Sequence, residues 1–291
     1  MIANLIAGHW CQPHTPALPV YNPATEEVLD EVPLSGPTEV TQAAAAAAEA
    51  YVGWSQTPVM ERTRLMFRYK ALLEEHCEEL AALVTRHHGK TLDEARGEVR
   101  RGIEVVDFAC GAPTLLQGRT LRQVSGGVDQ DLYRYPLGVV AGIPPFNFPV
   151  MIPLWMMPLA VVAGNTFVLK PSERTPLGAV RLAELFQEAG FPPGVLNVVH
   201  GARETVEALM AAPEVQAVSF VGSGIPVTRD ISHHQSLSSM ADWRLRGRGN
   251  ASIWDNTASK RLGKSRRKNR AAGVEPSEAR QSKLCRTLHT L

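Results

Sequence analysis

The chain has 291 residues, 44% of them apolar and 20% charged, enough for a packed core in one large domain or two modest ones. Its net charge of +1 hides an uneven split: residues 225–291 hold 14 Lys and Arg against 5 Asp and Glu, a net +9, while residues 1–224 hold 16 against 24, a net −8. Met1 to Leu5 is too short an apolar stretch for a secretory signal. The longest apolar run, 150–164, falls short of the roughly 20 residues that cross a bilayer and contains Pro153 and Pro158, so a cytoplasmic protein without a membrane partner is expected.

In chain order, residues 20–33 read as two short strands about a turn at Asn22 and Pro23. Helical spacing follows. Thr38 precedes an alanine-rich run, Ala43 to Ala50; Leu65, Tyr69, Leu72 and Leu73 form one apolar stripe, and Leu80, Leu83 and Val84 another. A further helix is predicted from about Leu92 to Leu116. This half reads as scaffold.

From Tyr135 the pattern changes to short apolar strands alternating with helices. Strands are predicted at 138–143, 166–170, 195–199 and 215–221, with helices at about 150–163, 177–189 and 203–211 between them. That alternation predicts an α/β doubly wound parallel sheet, which binds ligands at the carboxyl ends of its strands. Ile143, Lys170, His200 and Gly222 stand at those ends.

Past Gly224 this order stops. Leu, Ile, Val and Phe make up 11 of the 67 residues from 225 to 291, and with the high net charge this predicts a disordered, solvated tail. Arg266, Arg267, Lys268 and Arg270 have no aromatic or motif context, so no nucleic-acid partner is expected. Cys11, Cys77, Cys110 and Cys285 contain no CxxC pair, which gives neither a disulfide framework nor a metal site.

The chemistry-bearing residues cluster in the strand ends. Asn147 lies between Phe146 and Phe148, inside Pro145 and Pro149, so its backbone is stiff and its surroundings apolar. Its amide suits donation to an oxygen that becomes negative, worth about 2.7 to 4 kcal/mol for one donor, or else bonds its own turn. Lys170 ends a strand before Pro171, with Glu173 three residues on. Together they suit a grip on vicinal ribose hydroxyls and would repel a 2′-phosphate, favouring NAD over NADP; an exposed ion pair is the alternative. Ser223 follows Phe220, Val221 and Gly222 where a helix should begin, a place suited to an anion. Arg101 sits in the string Glu98-Val99-Arg100-Arg101-Gly102 on a helix, ordinarily a surface cation.

Residues from about 5 to 223 resemble the aldehyde dehydrogenase superfamily, nearest to its coenzyme A-acylating methylmalonate-semialdehyde dehydrogenases. The resemblance rests on Gly142 to Arg174, on Ala112-Pro113, on the run Tyr133-Arg134-Tyr135-Pro136-Leu137-Gly138-Val139 and on Asn197-Val198-Val199-His200-Gly201. It implies that residues 1–224 form a Rossmann-like NAD-binding domain with N-terminal helices and a small oligomerisation strand segment, and that the assembly is a homo-oligomer. By the same resemblance Asn147 is the oxyanion donor. Pro144, Phe146, Lys170, Glu173, Arg174 and Ser223 then contact NAD, and Arg101 meets the substrate carboxylate. Pro144 stands where a small residue is usual.

The implied reaction oxidises a malonate or methylmalonate semialdehyde through a cysteine thioester to an acyl-coenzyme A. No cysteine supplies the expected context: Cys285 lies near the expected distance, but Lys283-Leu284 and Arg286-Thr287 do not match. The substrate-side domain is missing from the pattern. A truncated lineage member with little activity is therefore expected, and the abrupt change near 224 suggests a shifted or prematurely ended reading frame.

Overall fold

The chain begins with β1 (Asn4–Ile6) and β2 (His9–Cys11), then β3 (Ala17–Tyr21) and β4 (Val28–Pro33), which pair antiparallel across the expected Asn22 turn. The structure, a computed structural model, describes residues 1–222. Four long helices follow: α1 (Pro37–Trp54), α2 (Val59–Glu75), α3 (Cys77–His88) and α4 (Leu92–Cys110). A short α5 (Ala112–Leu115) and a hairpin of β5 (Arg119–Ser125) and β6 (Val128–Leu132) lead into β7 (Val139–Ile143), α6 (Met151–Val162), β8 (Thr166–Leu169), α7 (Leu177–Glu188), β9 (Leu196–Val198), α8 (Arg203–Ala211) and β10 (Val215–Phe220).

The predicted helix from 92 to 116 is two helices. Gly111 closes α4, and Pro113, which lacks an N–H, sits in the first turn of α5, where that absence costs nothing. The β5–β6 hairpin was not expected from the sequence. Its residues are nearly all exposed, so neither face carries the apolar alternation that betrays a half-buried strand.

The main sheet runs β10-β7-β8-β9-β1-β2, with the first four strands parallel and β1 antiparallel to both β9 and β2. Successive residues on β8 point to opposite faces. Phe167 and Leu169 enter a core with α2, α3, α4, α6 and α7, whereas Val168 packs with Val139, Ala141 and Val199 against Val40, Ala43, Ala44 and Ala47 of α1 and Leu209 of α8. Helices thus cover both faces, as the doubly wound reading requires. The chain steps β7 to β8 to β9 in one direction and then returns across β7 to β10, so strand order reverses between β7 and β10. Ligand crevices form at the carboxyl ends beside such a reversal.

Helix α6 follows directly on the loop containing Asn147 and so sets where that loop ends. Its sequence, Met-Ile-Pro-Leu-Trp-Met-Met-Pro-Leu-Ala-Val-Val, is buried on nearly every side and holds no side chain able to cap its own ends. Both ends are served from far away in sequence. Glu98 of α4 accepts from the N–H groups of Val150 and Met151 at 2.9 and 3.2 Å through one oxygen, Oε1. At the other end Arg62 of α2 donates from Nε to the Val162 carbonyl at 2.9 Å. Gly102 lets α4 approach: a Cβ there would lie 2.7 Å from Leu154 Cδ1.

Candidate functional site

Each parallel strand delivers a residue to the same end of the sheet. After β7 come Pro144, buried, then Phe146 and Asn147, both exposed in a turn. The surroundings of Asn147 were expected to be apolar, but among the described residues it is exposed. Pro149 is buried and Pro145 half-buried, but the turn itself projects into solvent, where the Asn147 side-chain amide makes no hydrogen bond among the described residues. After β8 comes Lys170, only 4% exposed, whose backbone N–H continues the ladder to the Gly142 carbonyl at 2.9 Å.

Lys170 Nζ donates to Glu173 Oε2 at 3.3 Å. Burial lowers the ammonium's pKa, and the Glu173 carboxylate partly offsets that effect. A buried lysine with one partner is not the exposed ion pair that the spacing alone also allowed. Two of its three donors find no partner among the described residues.

The loops after β7 and β8 are tied together. Thr175 Oγ1 donates to the Phe146 carbonyl at 3.1 Å, and the Arg174 guanidinium lies over the Phe146 ring, 5.2 Å from its centroid. The other face of the story is His88, whose ring stacks on Phe146 at 6.4 Å. Pro144, Phe146, Asn147, Lys170, Glu173 and Arg174 therefore belong to one cluster across the β7–β8 pair. Ser223 lies outside the described residues, as do Cys285 and the basic tail.

Arg101 is exposed on α4, one turn beyond Glu98, and its carbonyl accepts from Trp155 Nε1 of α6 at 3.4 Å. It stands beside the first turns of α6, and its side chain makes no ion pair among the described residues. His200, after β9, is fully buried. Burial and the nearby Lys170 charge push its pKa down to about 3, and neither ring nitrogen finds a partner among the described residues.

Among the described residues, Cys77 and Cys110 are not activated thiols. Burial raises the Cys77 pKa despite nearby Arg100, and burial pushes Cys110 up to about 11; Cys11 is exposed on β2. A nucleophilic cysteine needs the opposite shift. Among the described residues no group of His, Cys, Asp and Glu is placed to hold a metal, and no helix is long and apolar enough to cross a membrane.

Two residues were missed in the sequence: Glu98 and Lys90. Lys90 Nζ donates to Glu98 Oε2 at 2.5 Å and to the Asn147 carbonyl at 2.6 Å, and lies 3.9 Å from the centroid of the Phe148 ring. The available signal was a glutamate on the apolar face of α4, in line with Ala95, Val99 and Gly102. A charge there must have a partner.

Strand order, helices on both faces and a loop cluster at the carboxyl ends define a doubly wound α/β domain with a candidate ligand site beside its topological reversal. Comparison with known proteins narrows that class. The aldehyde dehydrogenase family model matches residues 10–253, and the chain belongs to that family.

It is 57% identical over 225 residues to malonate-semialdehyde dehydrogenase 1 of Geobacillus thermodenitrificans (strain NG80-2), covering 76% of this chain and 46% of that protein. It is 54% identical over 224 residues to malonate-semialdehyde dehydrogenase of Bacillus pumilus (strain SAFR-032), with 77% and 46% covered. Among solved structures, methylmalonate-semialdehyde dehydrogenase from Oceanimonas doudoroffii superposes with a TM-score of 0.74 at 51% identity over 76% of this chain and 46% of that one. A putative methylmalonate-semialdehyde dehydrogenase from Sinorhizobium meliloti 1021, complexed with NAD, gives 0.74 at 41% identity over 76% and 45%. The chain spans about half the length of the curated relatives it matches.

Proposed function

We propose that this chain carries the NAD-binding half of a cytoplasmic, homo-oligomeric dehydrogenase that oxidises malonate or methylmalonate semialdehyde to an acyl-coenzyme A. The observation that carries the reading is the buried Lys170 with Glu173, beside the tethered Phe146 and Arg174 loops at the end of the sheet. Two spare ammonium donors and a carboxylate acceptor fit the hydroxyls of a ribose, which both donate and accept. Pro144, Phe146, Arg174 and Ser223 complete the contacts to NAD, which when bound accepts hydride from the substrate.

Asn147 presents its amide to the substrate oxygen as negative charge develops there. Arg101, exposed beside α6, pairs with the substrate carboxylate, for which its planar donors are shaped. Leu121, Val124, Val128 and Tyr133, exposed on or next to the β5–β6 hairpin, supply apolar surface for assembly of the oligomer.

A second reading has its own support. Cys77 and Cys110 are shifted away from thiolate, and the neighbours of Cys285 do not match the expected context, so the chain as it stands binds NAD without turning aldehyde over.

Calorimetric titration of the full chain with NAD and NADP tests the cofactor site. NAD is expected to bind, and NADP on the order of tenfold more weakly because the Glu173 carboxylate faces the 2′-phosphate. Glu173→Gln is expected to close that gap. A chain that binds neither nucleotide refutes the site, and NADH production from malonate semialdehyde with coenzyme A refutes the inert reading.

A further inference from the structure

We propose that Lys90 and Glu98 are positioning residues that hold the Asn147 turn in the geometry its amide needs; this rests on reading Asn147 as the oxyanion donor. The two oxygens of Glu98 do different things. Oε1 caps α6 through the Val150 and Met151 N–H groups, while Oε2 takes the Lys90 ammonium at 2.5 Å. A cap alone would need only the first.

The second oxygen orients Lys90 so that its Nζ also reaches the carbonyl of Asn147 itself, at 2.6 Å, over the Phe148 ring. With that carbonyl held, the peptide between Asn147 and Phe148 cannot rotate freely. The side-chain amide stays available because no described group competes for it.

The backbone of Lys90 is itself fixed from both sides. Gly89 closes α3 in the left-handed region at φ 87°, and its N–H donates to the Thr85 carbonyl. Thr91 opens α4 with a reciprocal cap, its hydroxyl accepting from the Glu94 N–H and the Glu94 carboxylate accepting from the Thr91 N–H. Two helix ends thus converge on a single lysine. The Glu98 side chain is 1% exposed and that of Lys90 15%, so water does little to weaken the pair.

Backbone order parameters from NMR relaxation on the full chain test this, read at Phe146, Asn147 and Phe148 for the turn and at Val150 and Met151 for the start of α6. A held backbone gives values of about 0.85 and a flexible one values below about 0.6. Lys90→Met should therefore drop the turn from the first range toward the second, while Val150 and Met151, still capped by Glu98, stay near wild type. Glu98→Gln should lower both groups. Lys90→Arg, whose guanidinium can still donate to both acceptors, should restore the order of the turn.

Turn order parameters in Lys90→Met equal to those of wild type overturn the proposal, as does a uniform drop along α6. Should Lys90→Met lose its folded circular dichroism, Lys90→Arg and Glu98→Gln still decide the matter by the same amides. NAD titration of the same variants separates the two readings. A wild-type chain that binds no NAD sinks the cofactor site, yet the order-parameter pattern still reports on the clamp.

Discussion

His200 makes the stability of this domain depend on pH in a calculable way. The ring is fully buried, and its pKa of about 3 compares with an ordinary value of 6.5. As the pH falls through 6.5 the unfolded chain takes up a proton that the folded chain refuses until about pH 3. The folded pKa is the lower one, so stability is complete above 6.5 and is lost as the pH drops from there toward 3. The slope approaches about 1.4 kcal/mol per pH unit, giving about 1.6 kcal/mol between pH 6.5 and 5, before most carboxylates begin to titrate.

His87 and His88 are also held low by burial and act in the same direction, so the total slope belongs to three rings. His200→Leu isolates one of them. It also removes a ring nitrogen that is buried without a partner, an arrangement costing about 1 to 3 kcal/mol, so the variant should be no less stable than wild type at neutral pH. Urea unfolding at intervals between about pH 7.5 and pH 5 gives the comparison. The stability of wild type relative to His200→Leu should fall by roughly 2 kcal/mol across that window. Parallel curves would show that His200 accepts a proton in the folded state and would refute the argument.

Two further variants test how the site is supported. Arg62→Ala leaves the carbonyls of Val162 and Thr57 without their donor, and should cost about 2 to 4 kcal/mol, lowering the thermal midpoint by roughly 5 to 15 °C. Burial already lowers the Arg62 pKa, so part of the loss is offset by removing a poorly solvated charge, and a midpoint within a degree or two of wild type would show that the offset is complete. Gly142→Ala would place a Cβ 2.4 Å from Phe167 Cζ. Such overpacking should cost about 1 to 3 kcal/mol in urea unfolding, and a Gly142→Ala/Phe167→Leu double variant should lose less than the sum of the single changes.

What the sequence disclosed follows the range of the interactions involved. The four parallel strands and their three crossover helices were legible because short apolar runs, glycines and helical spacing are local signals. Lys170 and Glu173 were legible as a pair because they are three residues apart, although their burial was not. The joining of β1 to β9 was hidden, since Leu5 pairs with Val198 and nothing within three residues of either announces the other. The hairpin at 119–132 was hidden for the opposite reason: with both faces exposed it has no period to detect. Glu98 was the instructive miss, a charge on an apolar helix face whose partners lie 8, 52 and 53 residues away.

The caps on α6 also decide what counts as the smallest unit able to hold the site. Every strand of the parallel sheet, and the loop cluster of Pro144, Phe146, Asn147, Lys170, Glu173 and Arg174, lies after residue 134, so by topology alone residues 135–222 look like a complete module. The hydrogen bonds say otherwise. Helix α6 has no side chain able to cap its own ends, and without α2 and α4 the Val150 and Met151 N–H groups and the Val162 carbonyl lose the partners they have here. The Asn147 carbonyl loses Lys90 at the same time. The N-terminal helices are therefore part of the site's machinery, since they fix both ends of the helix that presents Asn147 and the turn that contains it.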